Sequence, residues 1–244
     1  MTEFDNIAEN FASGMNRDPF VVYSAVPTTF AVLGNLRGLR VLDFGCGEGR
    51  LSRMMAAQGA DVVGFDSAPN MIGLAQAEES DKPLGIRYFI ANALNLPLLG
   101  QFDLVLANFV IHLSRTKAEM VRMLTPIHQN LKIGGRMVIV APNLEVRPVL
   151  RHNVTVEGVE PLCEGDPVRV TLHVNRKPYS SFINYYWRFQ TYEEVAHQVG
   201  FSDIRWHLPK VSPEGLRLFG KDFWEGYTLL PLWQVMEAFK GEKR

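Results

Sequence analysis

Asp43, Gly45, Gly47 and Gly49 stand at alternate positions in the run Val41-Leu42-Asp43-Phe44-Gly45-Cys46-Gly47-Glu48-Gly49-Arg50-Leu51-Ser52. The run reads as a buried strand, a glycine turn and then a helix. Glycines lack a Cβ, so the turn is sharp and its backbone can lie close to a ligand. A helix starting near Gly49 points its unpaired N–H groups back at that turn. Asp43 then faces a positive pole from the carboxyl end of its strand, where open α/β sheets bind ligands. An amino-acid zwitterion, or the methionine end of an adenosyl sulfonium, suits such a pair.

Other residues are placed for chemistry further along. Asp66 lies 23 residues after Asp43 and closes a second apolar run, about where a doubly wound fold needs a carboxylate for ribose hydroxyls. Its alternative is to cap the helix after Ser67. Asn92, in Ala91-Asn92-Ala93-Leu94, has the chemistry to read an adenine edge or to satisfy its own turn backbone. His112, just past a fourth apolar run, is a candidate general base, as are Tyr23, Tyr185 and Tyr186. A packed helix-entry residue is the alternative for His112, and a wall residue for each tyrosine. Cys46 contributes backbone rather than a nucleophilic thiol.

The elements that must position these residues follow from hydrophobic periodicity. Strands are expected at Arg40–Phe44, Asp61–Phe65, Ile86–Ile90, Phe102–Ala107 and Arg136–Ala141, alternating with helices. One helix runs from about Gly49 to Gln58 and stops at Gly59. Another starts at Pro69, and a third starts at a Thr116/Glu119 capping box and is kinked by Pro126. Repeated strand–helix alternation implies a parallel sheet. Before it, residues 5–16 and about 27–33 read as helices packed on the sheet edge or covering the site. After it, residues 142–165 are polar and irregular. Val168–Val174 and Phe182–Phe189 read as a hairpin turned at 175–180. A Thr191/Glu194 capping box starts a helix that ends at Gly200, followed by a strand over 201–206. Residues 212–227 are helical in part, and Leu232–Phe239 suits a strand or a helix.

Size and composition set bounds. The chain has 244 residues, 47% hydrophobic and 21% charged, with a net charge of −1. That is an ordinary globular balance, and its near-neutral charge disfavours a phosphate-tracking nucleic-acid surface. No apolar run has membrane-span length, and the acidic start MTEFDNIAEN is not a secretory signal. Two cysteines suggest a reducing compartment, so a cytoplasmic location is expected. The six histidines are scattered without ligand spacing, so no metal is expected.

The spelling D-x-G-x-G-x-G, Asp66 after the second strand, Asn92-Ala93 after the third and F-D-x-V-x-A-N at Phe102–Asn108 resemble class I S-adenosylmethionine-dependent methyltransferases. The likeness covers residues 38–141 well. More loosely, the N-terminus and Gly220-Lys221-Asp222-Phe223-Trp224 resemble bacterial small-molecule methyltransferases, including those of toxoflavin-type pathways. The resemblance implies an α/β, doubly wound, seven-stranded, mostly parallel sheet of order 3-2-1-4-5-7-6 with helices on both faces. It would form one domain: an N-terminal helical lid (1–37), a cofactor core (38–141), an acceptor-side insertion with a β-hairpin cap (142–190) and the rest of the sheet (191–244).

Carried over by position, Asp43 and the Gly45 carbonyl hold the ammonium of S-adenosyl-L-methionine. Gly45, Cys46 and Gly47 line its methionine half, and Asp66 binds the ribose hydroxyls. Ser67 and Met71 flank the adenine, and Asn92, Ala93 and Leu94 read its edge. Asn108 and Phe109 stand near the sulfonium. Asn92 departs from the family's usual aspartate. The implied reaction is methyl transfer to N or O of a small aromatic or apolar acceptor, by a monomer or homodimer. The acceptor pocket is expected from Phe11, Phe20, Tyr23, Phe30, Phe109, Tyr179, Tyr185, Tyr186 and Trp187. Arg147, Arg151 and Arg188 are available for an acceptor anion. A non-catalytic adenosylmethionine-binding module is the alternative. An NAD(P)-dependent oxidoreductase fits less well, since neither G-x-G-x-x-G nor Tyr-x-x-x-Lys occurs. A DNA-base methyltransferase lacks its [D/N/S]-P-P-[Y/F] motif after the fourth strand.

Overall fold

The computed structural model describes residues 3–145, 153–227 and 231–241. Two helices, α1 (Ala8–Met15) and α2 (Val26–Leu33), precede β1 (Arg40–Phe44), α3 (Arg50–Ala57) and β2 (Asp61–Asp66). Next come α4 (Pro69–Asp81), β3 (Arg87–Ile90), β4 (Phe102–Asn108), α5 (Lys117–Asn130) and β5 (Leu131–Pro142). An insertion then supplies β6 (Val154–Glu157), β7 (Pro167–Val174) and β8 (Lys177–Tyr185). The chain continues through α6 (Phe189–Val199), β9 (Phe201–His207), α7 (Pro213–Trp224) and β10 (Trp233–Lys240).

The main sheet has seven strands in the order β3-β2-β1-β4-β5-β10-β9. Counting only its own strands in chain order, this is the expected 3-2-1-4-5-7-6. Strands β1 to β5 pair in parallel, and β10 runs antiparallel to both neighbours. The central strands are apolar on both faces because helices cover both. Leu42, Phe44, Val105 and Ala107 join Met120, Leu124 and Ile127 of α5 in one core. Val41, Leu104 and Leu106 join Leu33 of α2 and Met55 of α3 in the other. Alternate residues of one strand thus face opposite layers. Among the described residues no helix is long and apolar enough to cross a membrane.

Several local expectations are corrected. Only a 3-10 turn, Ala93–Asn95, links β3 to β4 where a helix was expected. The link is short and carries Pro97, so it cannot build one. At the N-terminus, Pro27 follows a π turn over Val21–Ala25 that runs directly into α2. The insertion is a three-stranded antiparallel sheet, β6-β7-β8, rather than a lone hairpin. Its β6 is a four-residue edge strand inside a polar stretch, too short to show a period. Its hairpin turns on Asn175-Arg176 alone, both at positive φ (52 and 63), as a two-residue loop prefers. Pro178 was read as turn but pairs with His173 on edge strand β8, where a missing N–H is tolerated.

Helix α6 begins two residues before the expected box. Thr191 donates its hydroxyl to Glu164, and Glu164 Oε1 also accepts the Arg188 N–H at 2.9 Å. The cap therefore comes from the insertion, out of reach of any local pattern. Thr116 does cap α5, accepting the Glu119 N–H at 3.1 Å.

The N-terminal segment is fastened at both ends. Asp5 Oδ1 accepts the Asn70 N–H at 3.2 Å, at the start of α4. At the other end α1 lies against β8. A Cβ on Gly14 would stand 2.0 Å from the Tyr179 ring, so only glycine lets the helix approach this closely.

Candidate functional site

The site lies at the carboxyl ends of β1 and β4, where the strand order reverses. A crevice of about 170 Å³ opens there. Its walls include Asp43, Gly45, Cys46 and Gly47 from the glycine turn, and Asp66, Ser67 and Met71 from the β2–α4 corner. Ala93, Asn108 and Phe109 complete the far side. Each of these was named from the sequence. Asn92 and Leu94 were also named but stand outside the walls. The Asn92 Oδ1 accepts the Leu94 N–H at 2.9 Å, so the asparagine caps its own 3-10 turn.

Asp43 is 1% exposed, and its Oδ2 accepts the Ser52 hydroxyl at 2.5 Å. Burial pushes its pKa up from 3.8 to about 7, with Ser52 pulling it back and Asp66 and Glu48 adding to the rise. Asp66 bridges two segments. Its Oδ2 accepts the Gly47 N–H at 3.0 Å and its Oδ1 the Ala68 N–H at 2.9 Å. Burial raises its pKa, while these backbone donors lower it. Asp66 is thus both a wall of the crevice and a turn former before α4. Cys46 remains a thiol, because burial holds its pKa well above the ordinary value.

A second cavity, of about 150 Å³, adjoins the crevice. The two share Phe4, Phe11, Met15, Val21, Ala25 and Phe109. Its remaining walls come largely from the inserted sheet, with Val154, Val156, Val170, Leu172 and Phe182, and from Tyr227 and Trp233. Phe182 packs on Phe4 and Phe11, with ring centroids 5.4 and 6.0 Å apart, so the N-terminal segment and the insertion close over this space together. Four polar side chains interrupt the apolar lining, half-buried Asn143 and three that are buried. His112 is 3% exposed, Asn184 4% and Asp18 3%. Burial lowers the His112 pKa to about 4 against the pull of Asn184, and raises that of Asp18 to about 6.

The expected bases other than His112 lie elsewhere. Tyr23 packs on Phe219, at a centroid distance of 5.6 Å, and lines neither cavity. Tyr186 donates its hydroxyl to Glu145 at 2.6 Å, outside both cavities. Of the expected acceptor aromatics, Phe11, Phe20 and Phe109 line the second cavity, while Phe30, Tyr179, Tyr185 and Trp187 do not. Arg188 reaches Glu145 at 3.8 Å rather than a cavity, and Arg147 and Arg151 lie outside the described residues. The sequence reading missed Asp18, Asn184 and Phe182. Asp18 sits in a short link between helices, and alternation along β8 marks Asn184 and Phe182 only as inward-facing. Among the described residues no cluster of His, Cys, Asp and Glu is arranged to hold a metal.

Comparison with known proteins agrees with this geometry. Residues 41–135 match a family model described as a methyltransferase domain. A ubiquinone biosynthesis O-methyltransferase of Cereibacter sphaeroides is 39% identical over 135 residues, 55% of this chain and 49% of that protein. The chain therefore spans about half the length of the curated relatives it matches. The CcbJ methyltransferase of Streptomyces caelestis superposes with a TM-score of 0.68 at 17% identity, covering 99% of this chain and 98% of that one. Magnesium protoporphyrin IX methyltransferase of Synechocystis, solved with S-adenosylmethionine bound, gives a TM-score of 0.57 at 17% identity over 99% and 86% of the chains. Residues 41–135 are thus similar to a methyltransferase domain, and the chain shares the fold of S-adenosylmethionine-dependent methyltransferases.

Proposed function

We propose that this protein transfers a methyl group from S-adenosylmethionine to an oxygen of a small, largely apolar acceptor. The observation that carries the reading is the junction of two spaces: a crevice holding one buried acid, Asp43, and one half-buried acid, Asp66, opens onto an apolar cavity, with shared walls between them.

The crevice fits the methyl donor. Asp43 offers a buried carboxylate to an ammonium, and Asp66 offers one to ribose hydroxyls at the β2 end. Gly47, at φ +55, has nothing within 4 Å of the place a Cβ would take, leaving its backbone open to a ligand. The bound donor supplies an electrophilic methyl on a positively charged sulfur. The carbon–oxygen bond forms as the carbon–sulfur bond breaks, and the electron pair stays on sulfur.

The protein's part is alignment and exclusion of water, and alignment alone can supply about 7–11 kcal/mol. Phe4, Phe11 and Met15 would cover the junction as a lid. His112, at about 4, is neutral near pH 7 and a weak proton acceptor there, so its role is to orient the nucleophile by hydrogen bonding. As the carbon–oxygen bond forms, the hydroxyl gives up its proton, whatever amide held it in the resting complex, and Asp18 of the same cavity wall, raised to about 6, is the carboxylate available to receive it. The relatives' name, O-methyltransferase, favours oxygen over nitrogen as the atom methylated.

The test is label transfer from methyl-tritiated S-adenosylmethionine across a panel of phenols and aromatic amines. Labelled ether with equimolar S-adenosylhomocysteine is expected from at least one phenol. Tight donor binding with no transfer to any member would favour a non-catalytic binding module instead.

A further inference from the structure

The acceptor cavity contains an unusual conjunction. His112 Nδ1 and Asn184 Oδ1 are both buried; Asn184 stands near enough to raise the His112 pKa, yet neither atom makes a hydrogen bond of good geometry. Both side chains line a cavity whose other walls are mainly phenylalanine, valine and leucine. Leaving two such atoms unpaired costs about 1–3 kcal/mol each. A partner arriving with a ligand would remove that cost. Asp18 lines the same cavity, and both of its hydrogen bonds, from the Phe20 N–H at 3.0 Å and Asn153 Nδ2 at 3.3 Å, fall on Oδ1. Among the described lining residues there is no lysine or arginine.

We propose that Asn184, facing His112, is the specificity-determining residue of the acceptor cavity, and that the pair reads one uncharged hydroxyl on a ring-sized apolar molecule. The inference rests on the reading of this cavity as the acceptor site. A hydroxyl carries one donor and two acceptor lone pairs. With the proton on Nδ1, it accepts from His112 and donates to Asn184 Oδ1, so a single group satisfies both orphaned atoms. A methyl group satisfies neither. A carboxylate would be buried beside Asp18 with no cation among the described lining residues to pair with, which is unfavourable. An apolar cavity of about 150 Å³ is large enough for a benzene-sized ring. The acceptor class is therefore a neutral hydroxylated ring, and anionic analogues are excluded by charge.

Phenol, toluene and benzoate, which share a ring and differ at one group, test this on the full-length protein. Their binding is measured by ligand-observed NMR, with and without S-adenosylhomocysteine, for the wild type and for Asn184→Leu and Asn184→Asp. The wild type should prefer phenol to toluene by at least about tenfold, the equivalent of one buried hydrogen bond, and should bind benzoate most weakly. Asn184→Leu should erase the phenol preference while leaving toluene unchanged. Asn184→Asp, which keeps an acceptor oxygen, should retain it. A phenol-to-toluene ratio near one in the wild type, or an undiminished ratio in Asn184→Leu, overturns the proposal. So does benzoate binding as tightly as phenol. If Asn184→Leu does not fold, the wild-type ratios and Asn184→Asp still decide. Failure of S-adenosylhomocysteine to bind the wild type, with the phenol preference intact, would instead count against the proposed methyl transfer.

Discussion

The two halves of the site are built by different means. The crevice of Asp43 and Asp66 has its polar side in the sheet, from strand ends, a glycine turn and the start of α4, and is closed by Phe4, Phe11, Met15, Val21 and Ala25 of the N-terminal segment. The cavity of His112, Asn184 and Asp18 is assembled from segments distant in sequence, with Phe11 before the first strand and Phe182 in the inserted sheet. One half takes its two acids from locally encoded strand ends. The other is apolar and exists only once the N-terminal helices and the insertion have packed together. On the proposed reading, altering segments outside the sheet would change the acceptor while leaving the acids of the donor site in place.

The largest expected effect strikes the assembled half. Phe182→Ala removes a 7% exposed ring and both of its aromatic contacts, and should cost about 3 kcal/mol in denaturant unfolding. A loss below about 1 kcal/mol would mean that the lid and insertion are not held by this ring. Next comes the locally encoded half. Asp66→Ala should weaken S-adenosylmethionine binding at least about tenfold by calorimetry, from the loss of charged-group hydrogen bonds. Unchanged affinity with the fold intact would remove Asp66 from the site.

The halves should also differ in their response to pH. Asp43 titrates at about 7 in the folded protein against 3.8 unfolded. The folded state then binds more protons between about pH 4 and 7, so this group makes the unliganded protein less stable as pH rises through that window. A bound cation favours the ionised form, so donor affinity should rise with pH up to about 7, by at most about tenfold per unit. Asp43→Asn should bind weakly and lose that slope. Persistence of the slope in the variant would assign it to another group. In the other half His112, at about 4, is neutral above about pH 5, and Asp18, raised to about 6, titrates within the window, so acceptor binding has a dependence of its own. The smallest effect belongs to Asn92→Ala, which should leave donor affinity within about twofold while costing about 1 kcal/mol of stability as a lost cap. A tenfold affinity loss would restore Asn92 to adenine recognition.

What the sequence made legible follows the same division. The first five strands and the positions of Asp43 and Asp66 at strand ends were readable because strand–turn–helix grammar is local, whereas the strand order came from the family resemblance and the last strand could equally have been a helix. Asn184 was not readable, because nothing along β8 says that its amide meets His112 from another segment. The start of α6 was misread for a similar reason, since Glu164 caps it from the insertion. Tyr23 and Tyr186 have suitable chemistry, but tertiary packing directs them to Phe219 and Glu145.

A crystal structure with S-adenosylhomocysteine is the most direct test of the central claim. The amino-acid half should lie against Asp43 and Gly45, the ribose should reach Asp66, and the sulfur should face the cavity of His112 and Asn184. A ligand seated with its sulfur turned away from that cavity, or a different nucleotide preferred in the crevice, would contradict the account.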